Sequence, residues 1–366
     1  MSHFKTTLTN DSNFNKIDYN NLGFGKYFSD HIYISEYKNG EWSRGEIKAY
    51  EPMLVEPGMC TLHYGQTIFE GLKAYRDFSN GGVNIFRPDM NAARMASSAE
   101  RVCIPPFPEK QFVEACSELV KIDAKFIPEK EGQSLYVRPV CYGDGNFLGV
   151  HQSDTYKFII MTSPVASYYE AGLKPVDILV SHEFARTVEG GLGMAKTAAN
   201  YAASLLAGQK AKEKGFAQVL WLDGIHRKFI DEVGAMNIMF VIDDVLITPP
   251  LDSGTILPGI TRDTVLQLAM EMNMEVEEKR LTIDDIIRAS KRKTLQEVFG
   301  TGTAAIVSPV GLLNYKGQEI IINKKEIGPI ASKFYDIITG LQHGNIDDTF
   351  GWNLHLEQKV TNSVLV

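Results

Sequence analysis

Apolar residues in this chain come in short runs that alternate with segments of helical period, and this alternation limits the fold more than any composition figure. SLYVRPVCYG (134–143) and YKFIIMTSPV (156–165) are rich in β-branched and aromatic residues and are bounded by turn residues, the pattern of buried strands. Shorter runs of the same character predict strands at 30–37, 83–88, 177–182, 217–222, 236–242 and 274–278. Between them a 3.6-residue period predicts helices over 90–102, 109–126, 197–214, 261–273, 282–290 and 327–341, with Thr261 or a neighbour capping the fourth. TIFEGLKAY (67–75) reads as a short, partly buried helix or turn, EVFGTGTAAIVSPV (297–310) is a further apolar segment, and the first 25 residues read as a loose arm. The expected fold is α/β or α+β in two domains, a smaller one over 1–165 and a larger one over 176–366, joined by a linker at 166–175. A chain of 366 residues has room for two cores.

Charge and cysteine usage exclude some functions. The net charge of -8 provides no basic footprint for nucleic acid. Cys60, Cys103, Cys116 and Cys141 lack CxxC or Cys/His ligand spacing, so reduced thiols are expected rather than a disulfide frame or a metal site. No apolar run reaches the roughly 18 residues of a membrane span, and the polar first 21 residues do not read as a signal peptide. A cytoplasmic enzyme is the expectation.

The chemistry starts at EGGLGMAKTAANY (189–201), where a lysine sits between glycine-rich backbone and a predicted helix. One reading is a P-loop, GxxxxGK[ST], which Gly190 to Thr197 almost spells. The missing glycine is the one before the lysine, where backbone must approach phosphate closely, and no apolar strand runs directly into the loop. The other reading is a Schiff-base lysine: an amine held out of water can attack an aldehyde and later move a proton.

A second segment, FIDEVGAMNIMFVIDDVLITPPLDSGTILPGITRD (229–263), supports the second reading. With Glu232, Gly234, Asn237, Ile238, Thr248, Gly259, Ile260 and Arg262 in place, it resembles the signature of the class IV (fold-type IV) aminotransferases, although Met239 precedes Phe240 where an aromatic is usual. LHYGQTIFEGLKAY (62–75), FRPDMNAARM (86–95), SLYVRPV (134–140), QVLWLDG (218–224) and VFGTGTAA (298–305) then follow the order found in branched-chain-amino-acid aminotransferases. This resemblance runs over some nine-tenths of the chain, from about Phe24 to the last helix.

The resemblance implies a two-domain fold with a C-terminal pseudo-barrel and pyridoxal 5'-phosphate as cofactor. Lys196 would hold that cofactor and shuttle the α-proton, Tyr201 would meet its phenolic oxygen, and Glu232 would hold its ring nitrogen. The N–H groups of Ile260 and Thr261 at a helix N-terminus would take the phosphate, with Arg94, Arg186 and Thr303 completing its shell. Phe24, Tyr64, Phe69, Tyr136 and Tyr168 would wall the substrate pocket, Arg138 would answer a distal carboxylate, and the amides of Thr303 and Ala304 the α-carboxylate. The family also implies a homodimer in which a loop at about 144–150, with Leu148 and Val150, closes the other subunit's pocket. Two positions depart from other members: TAAIVSP (303–309) lacks their CxxC switch, and Ala235 replaces a threonine. D-amino-acid aminotransferases and aminodeoxychorismate-lyase-like enzymes share the lysine–glutamate pair and are the rival readings.

Overall fold

The computed structural model describes residues 4–166 and 173–357. Tyr168 and most of the expected linker lie outside these residues. Among them the helices are α1 (Cys60–Tyr64), α2 (Pro88–Arg101), α3 (Glu109–Ile122), α4 (Ala198–Glu213), α5 (Ile260–Glu271), α6 (Ile283–Arg292) and α7 (Pro329–Gln342). The strands form two sheets, so the fold is mixed α/β.

The first sheet is built around the two long apolar runs. Ser134–Gly143 and Tyr156–Val165 pair antiparallel along their whole length, from Ser134 opposite Val165 to Gly143 opposite Tyr156. His31–Lys38 extends the sheet on one side, and Leu72–Arg76 and Val83–Phe86 extend it on the other. Phe112, Leu119 and Phe158 are fully buried in the core that this sheet shares with α2 and α3. Two sequence expectations change here. The N-terminal arm is fastened, because Lys5–Thr6 adds a strand beside Glu46 and Ile47, and Ser12 Oγ and the Asn13 N–H both donate to Asp30. At the other end, Asn353–Leu356 returns to pair with Val83–Phe86, so the chain's last described strand lies in the first sheet, not the second.

TIFEGLKAY is neither helix nor turn but two strands, Thr67–Phe69 and Leu72–Arg76, both laid along Ser134–Gly143 in one register. The ladder breaks at Glu70 and Gly71, where Glu70 faces Pro139. The Glu70 N–H donates to the Pro139 carbonyl at 2.8 Å, but proline has no N–H to return. Residues 70–75 are buried on both faces of the sheet, which erased the alternation that marks a half-exposed strand.

In the second sheet Val176–Val180 sits between Gln218–Leu222 and Ile306–Tyr315, parallel to both, and the pairings beyond them include antiparallel ladders. Asn237–Ile242 shows how one strand serves two cores. Ile238 and Phe240 pack with Ile283 and Ile286 of α6, whereas Met239 and Val241 pack with Val265 of α5 and Phe334 of α7.

Candidate active site

Gly193, three residues before Lys196, serves packing. A Cβ on Gly193 would lie 2.4 Å from the backbone of Thr255, so the loop can rest on the 253–255 turn only with glycine there. Asn200, in the first turn of α4, donates to the carbonyls of Leu192 and Ala195 and closes the loop onto the helix. The first sheet and α2 grip the lysine itself: the Lys196 N–H donates to Ser98 Oγ of α2 at 3.0 Å, and its carbonyl accepts from the Phe69 N–H at 3.0 Å. With its backbone fixed, Lys196 directs Nζ to the hydroxyl of Tyr201 at 3.0 Å, with the Phe69 ring 5.0 Å away. Lys196 and Tyr201 line one pocket.

Glu232, on the strand Ile230–Val233 and 3% exposed, is joined to that pocket through Leu257, which lines it. One carboxylate oxygen accepts from the Leu257 N–H at 2.7 Å and the other lies 3.0 Å from Arg186 Nε. Burial raises its pKa above the ordinary carboxylate value, and the Arg186 guanidinium only partly offsets this. Arg186, expected in the phosphate shell, is engaged at the Glu232 end, with Nη2 on the carbonyls of Gly193 and Thr255. Only the folded structure brings this buried arginine and carboxylate together, since neither residue's surroundings in sequence name the other.

Asp231, next in the strand and 3% exposed, accepts from Thr255 Oγ1 at 3.2 Å. Burial lifts its pKa from 3.8 to about 6, and the neighbouring Glu232 adds to the effect. Between these values the folded chain keeps a proton that the unfolded chain has released, so this group's contribution to stability falls as pH rises through the window. Above it the ionised carboxylate costs roughly 3 kcal/mol. Asp231→Asn keeps an acceptor for Thr255, and we expect it to raise urea stability at pH 7 by up to about 3 kcal/mol while changing little near pH 4. Equal stabilisation at both pH values would show that the carboxylate's charge is not the cause.

At the opposite end, α5 begins at Ile260 behind Gly259, and no side chain caps it. Thr261, expected as a possible cap, lies inside the first turn. Gly259 is needed because a Cβ there would come within 1.8 Å of Asn237 Oδ1. The first-turn amides of a helix have no partners within it and carry its positive pole, so this end of the pocket favours an anion. Arg94 stands beside it with Nη1 on the Pro258 carbonyl at 3.0 Å. Its other nitrogens form a two-pronged pair with the fully buried Glu70, both contacts at 2.8 Å, and Asn91 Nδ2 donates to the same carboxylate at 2.7 Å. Burial alone would raise the Glu70 pKa; Arg94 outweighs it and holds the group below the ordinary value. Glu70 and Asn91 have no role in the sequence reading, yet they hold the arginine in place.

A cavity of about 250 Å³ joins the two ends and is lined by residues of both sheets. Phe24, Phe69 and Tyr136 form its apolar side, with the rings of Phe24 and Tyr136 edge to face at 4.9 Å. Arg138 lies over the Phe69 ring at 4.8 Å, donates to the Tyr136 hydroxyl at 3.0 Å, and has a buried Nε with no partner among the described residues. Thr303 and Ala304 line the facing side with Thr261 and Ile260, and Ala235 lines it near Asn237. Tyr64 is not on this wall. It stands exposed at the end of α1 and donates to the Leu148 carbonyl, which ties it to the 144–150 loop on the outer surface. Leu148 and Val150 are also exposed. The expected wall residue Tyr168 lies outside the described residues. Among the described residues all four cysteines are free and no cluster of metal-ligating side chains occurs.

The sequence and the fold match a known class. Residues 67–313 match the family described as amino-transferase class IV. Branched-chain-amino-acid aminotransferase 2 of Bacillus subtilis (strain 168) is 49% identical over 338 residues, which cover 92% of this chain and 93% of that protein. The solved Escherichia coli branched-chain amino acid aminotransferase superposes with a TM-score of 0.73 at 29% identity, covering 88% of this chain and 98% of that one. The T.th. branched-chain amino acid aminotransferase, solved with pyridoxamine 5'-phosphate, gives 0.74 at 27% identity, covering 89% and 98%. The chain belongs to the class IV aminotransferases and, within them, to the branched-chain-amino-acid aminotransferases.

Proposed function

We propose that the chain is a pyridoxal-5'-phosphate-dependent transaminase that moves the amino group of L-leucine, L-isoleucine or L-valine reversibly to 2-oxoglutarate, yielding the branched-chain 2-oxo acid and L-glutamate. The observation that carries this reading is an apolar wall with one unspent cation in it: Phe24, Phe69 and Tyr136 around an Arg138 whose buried Nε has no partner among the described residues. Such a pocket takes a branched side chain against its rings and, in the return half-reaction, the distal carboxylate of 2-oxoglutarate on the guanidinium.

The pocket's donors and acceptors fit the cofactor. The uncapped N-terminus of α5 beside Arg94 suits a phosphate, the buried Glu232 suits a ring nitrogen, and Lys196 with Tyr201 lies between them. When bound, the cofactor supplies an aldehyde for the lysine and a ring that accepts electrons from the substrate's α-carbon. Lys196 Nζ would hold it and, once displaced by the substrate amine, carry the α-proton. Tyr201 would hold its phenolic oxygen. The amides of Ile260 and Thr261, with Arg94 and Thr303, would receive its phosphate. Arg186 would act through Glu232, as the counter-charge 3.0 Å away. The Thr303 and Ala304 amides would meet the substrate α-carboxylate.

A homodimer completes this reading. Tyr64, Leu148 and Val150 are exposed, Tyr64 is tied to the Leu148 carbonyl, and in the dimer they would cover the second copy's pocket mouth. We place the reaction in the cytoplasm, where unpaired thiols such as those of this chain persist.

With 2-oxoglutarate as acceptor, the protein loaded with cofactor is expected to consume L-leucine, L-isoleucine and L-valine and to leave D-alanine untouched. Preference for D-alanine would move the chain to the rival specificity, and protein that stays colourless after incubation with the cofactor would overturn the reading.

A further inference from the structure

Lys73 has no part in the chemistry above, yet it is buried in the first sheet with its charge unanswered. It lies on Leu72–Arg76 opposite Tyr136, is 4% exposed, and no carboxylate among the described residues perturbs it. Its Nζ donates to the Ala304 carbonyl at 2.9 Å. A buried ammonium with one neutral partner is costly, and burial pushes its pKa down to about 8. A methionine would occupy similar space without that cost, so the packing of the sheet does not account for a lysine here.

The place it reaches is informative. Thr303, Ala304 and Ala305 form the turn between Leu295–Gly302 and Ile306–Tyr315, and the turn ends on Ile306 at φ +63°, a left-handed conformation that a β-branched residue adopts only under constraint. Lys73 also lines a cavity of about 20 Å³ whose walls include Tyr75, Gln342, Ile260, Thr261 and Thr303, and the last three also line the main pocket. The ammonium thus stands one layer of side chains behind the pocket wall, fastened to the turn that faces into it.

We propose that Lys73 is a positioning residue for the substrate α-carboxylate: it holds the strained Thr303–Ala304 turn by its carbonyl, so that the turn's amides face the pocket, and adds a positive charge behind them. This rests on the transaminase reading given above. The other ionisable groups around Lys73 are Tyr75 on its own strand, Tyr136 across the ladder, and His343 at the end of α7. Burial favours the neutral forms of His343 and Tyr75.

The test is Lys73→Met in the cofactor-loaded enzyme. Both amino acceptors, 2-oxoglutarate and the branched-chain 2-oxo acid, share the α-carboxylate, so KM should rise for both by a similar factor. That factor is roughly tenfold, the scale of one lost charge-assisted hydrogen bond. Turnover and the cofactor's visible spectrum should stay close to wild type, and Lys73→Arg should recover part of the lost affinity. An unchanged KM, a rise for 2-oxoglutarate alone, or loss of the cofactor band would each overturn the proposal. If Lys73→Met does not fold, calorimetric titration of the wild type with 4-methylpentanoate decides. Its affinity should fall as pH passes through about 8, and a flat profile would overturn the proposal. Wild-type protein with no transamination would remove the transaminase reading, while the same titration still decides the role of Lys73.

Discussion

Lys196→Ala, incubated with pyridoxal 5'-phosphate, is expected to lack the visible band of wild-type protein and to lose turnover by roughly 10⁴-fold or more, the upper range for removing a proton-transferring group. The magnitude follows from how fully the fold commits this side chain. The Lys196 N–H and carbonyl are held by Ser98 of α2 and Phe69 of the first sheet, and Asn200 locks the preceding loop carbonyls. The amine therefore arrives beside the Tyr201 hydroxyl at 3.0 Å with little freedom left. No other amine lines the cavity among the described residues, so nothing stands in when this one is removed. The fold should survive, because Lys196 is only half-buried and forms no ion pair among the described residues. Circular dichroism and thermal melting should match wild type. A variant that keeps the band, or keeps turnover within tenfold, would remove Lys196 from the centre of the site.

How much of this was legible in the sequence depends on burial. The strands Ser134–Gly143 and Tyr156–Val165 were readable to their ends because their apolar runs stop at turn residues. The helix at 198–213 was readable because it follows glycine-rich backbone without interruption. TIFEGLKAY misleads for a physical reason: in a strand buried on both faces even Glu70 and Lys73 point inward, and the period-2 signal disappears. The site followed the same rule. Lys196, Tyr201, Glu232, Ile260 and Thr261 belong to local motifs, and the structure sets Lys196 Nζ against the Tyr201 hydroxyl, Glu232 on Ile230–Val233, and Ile260 and Thr261 in the first turn of α5. The partners that hold the charges were not legible, because Glu70 for Arg94, Arg186 for Glu232 and Ala304 for Lys73 each meet only once distant strands and loops have packed. Local pattern names a reactive group, whereas the group that sets its charge usually comes from elsewhere in the chain.

Glu232→Gln should have the second largest effect, lowering turnover by roughly 10²- to 10³-fold at saturating cofactor, the scale of losing one preorganised electrostatic partner. The substitution keeps the shape and an oxygen for the Leu257 N–H, so the change is almost purely one of charge. In wild type the carboxylate oxygens meet Arg186 Nε at 3.0 Å and the Leu257 N–H at 2.7 Å, and each retains a lone pair for a ring nitrogen. If Glu232 serves the ring nitrogen as proposed, an amide would not hold that nitrogen protonated, and the ring's pull on the substrate's electrons would weaken. Stability should fall as well. Arg186 would stay buried on the carbonyls of Gly193 and Thr255 without a counter-charge, and breaking one side of a buried ion pair costs about 3–5 kcal/mol. The two losses separate experimentally, because urea unfolding of the cofactor-free protein reads the orphaned arginine and turnover of the loaded, folded variant reads the missing charge. Arg186→Met offers the converse case: it leaves the carboxylate in place, so burial should raise the Glu232 pKa further and shift the pH dependence of the visible band. Turnover of Glu232→Gln within threefold of wild type would mean that this carboxylate stabilises the fold and takes no part in the chemistry.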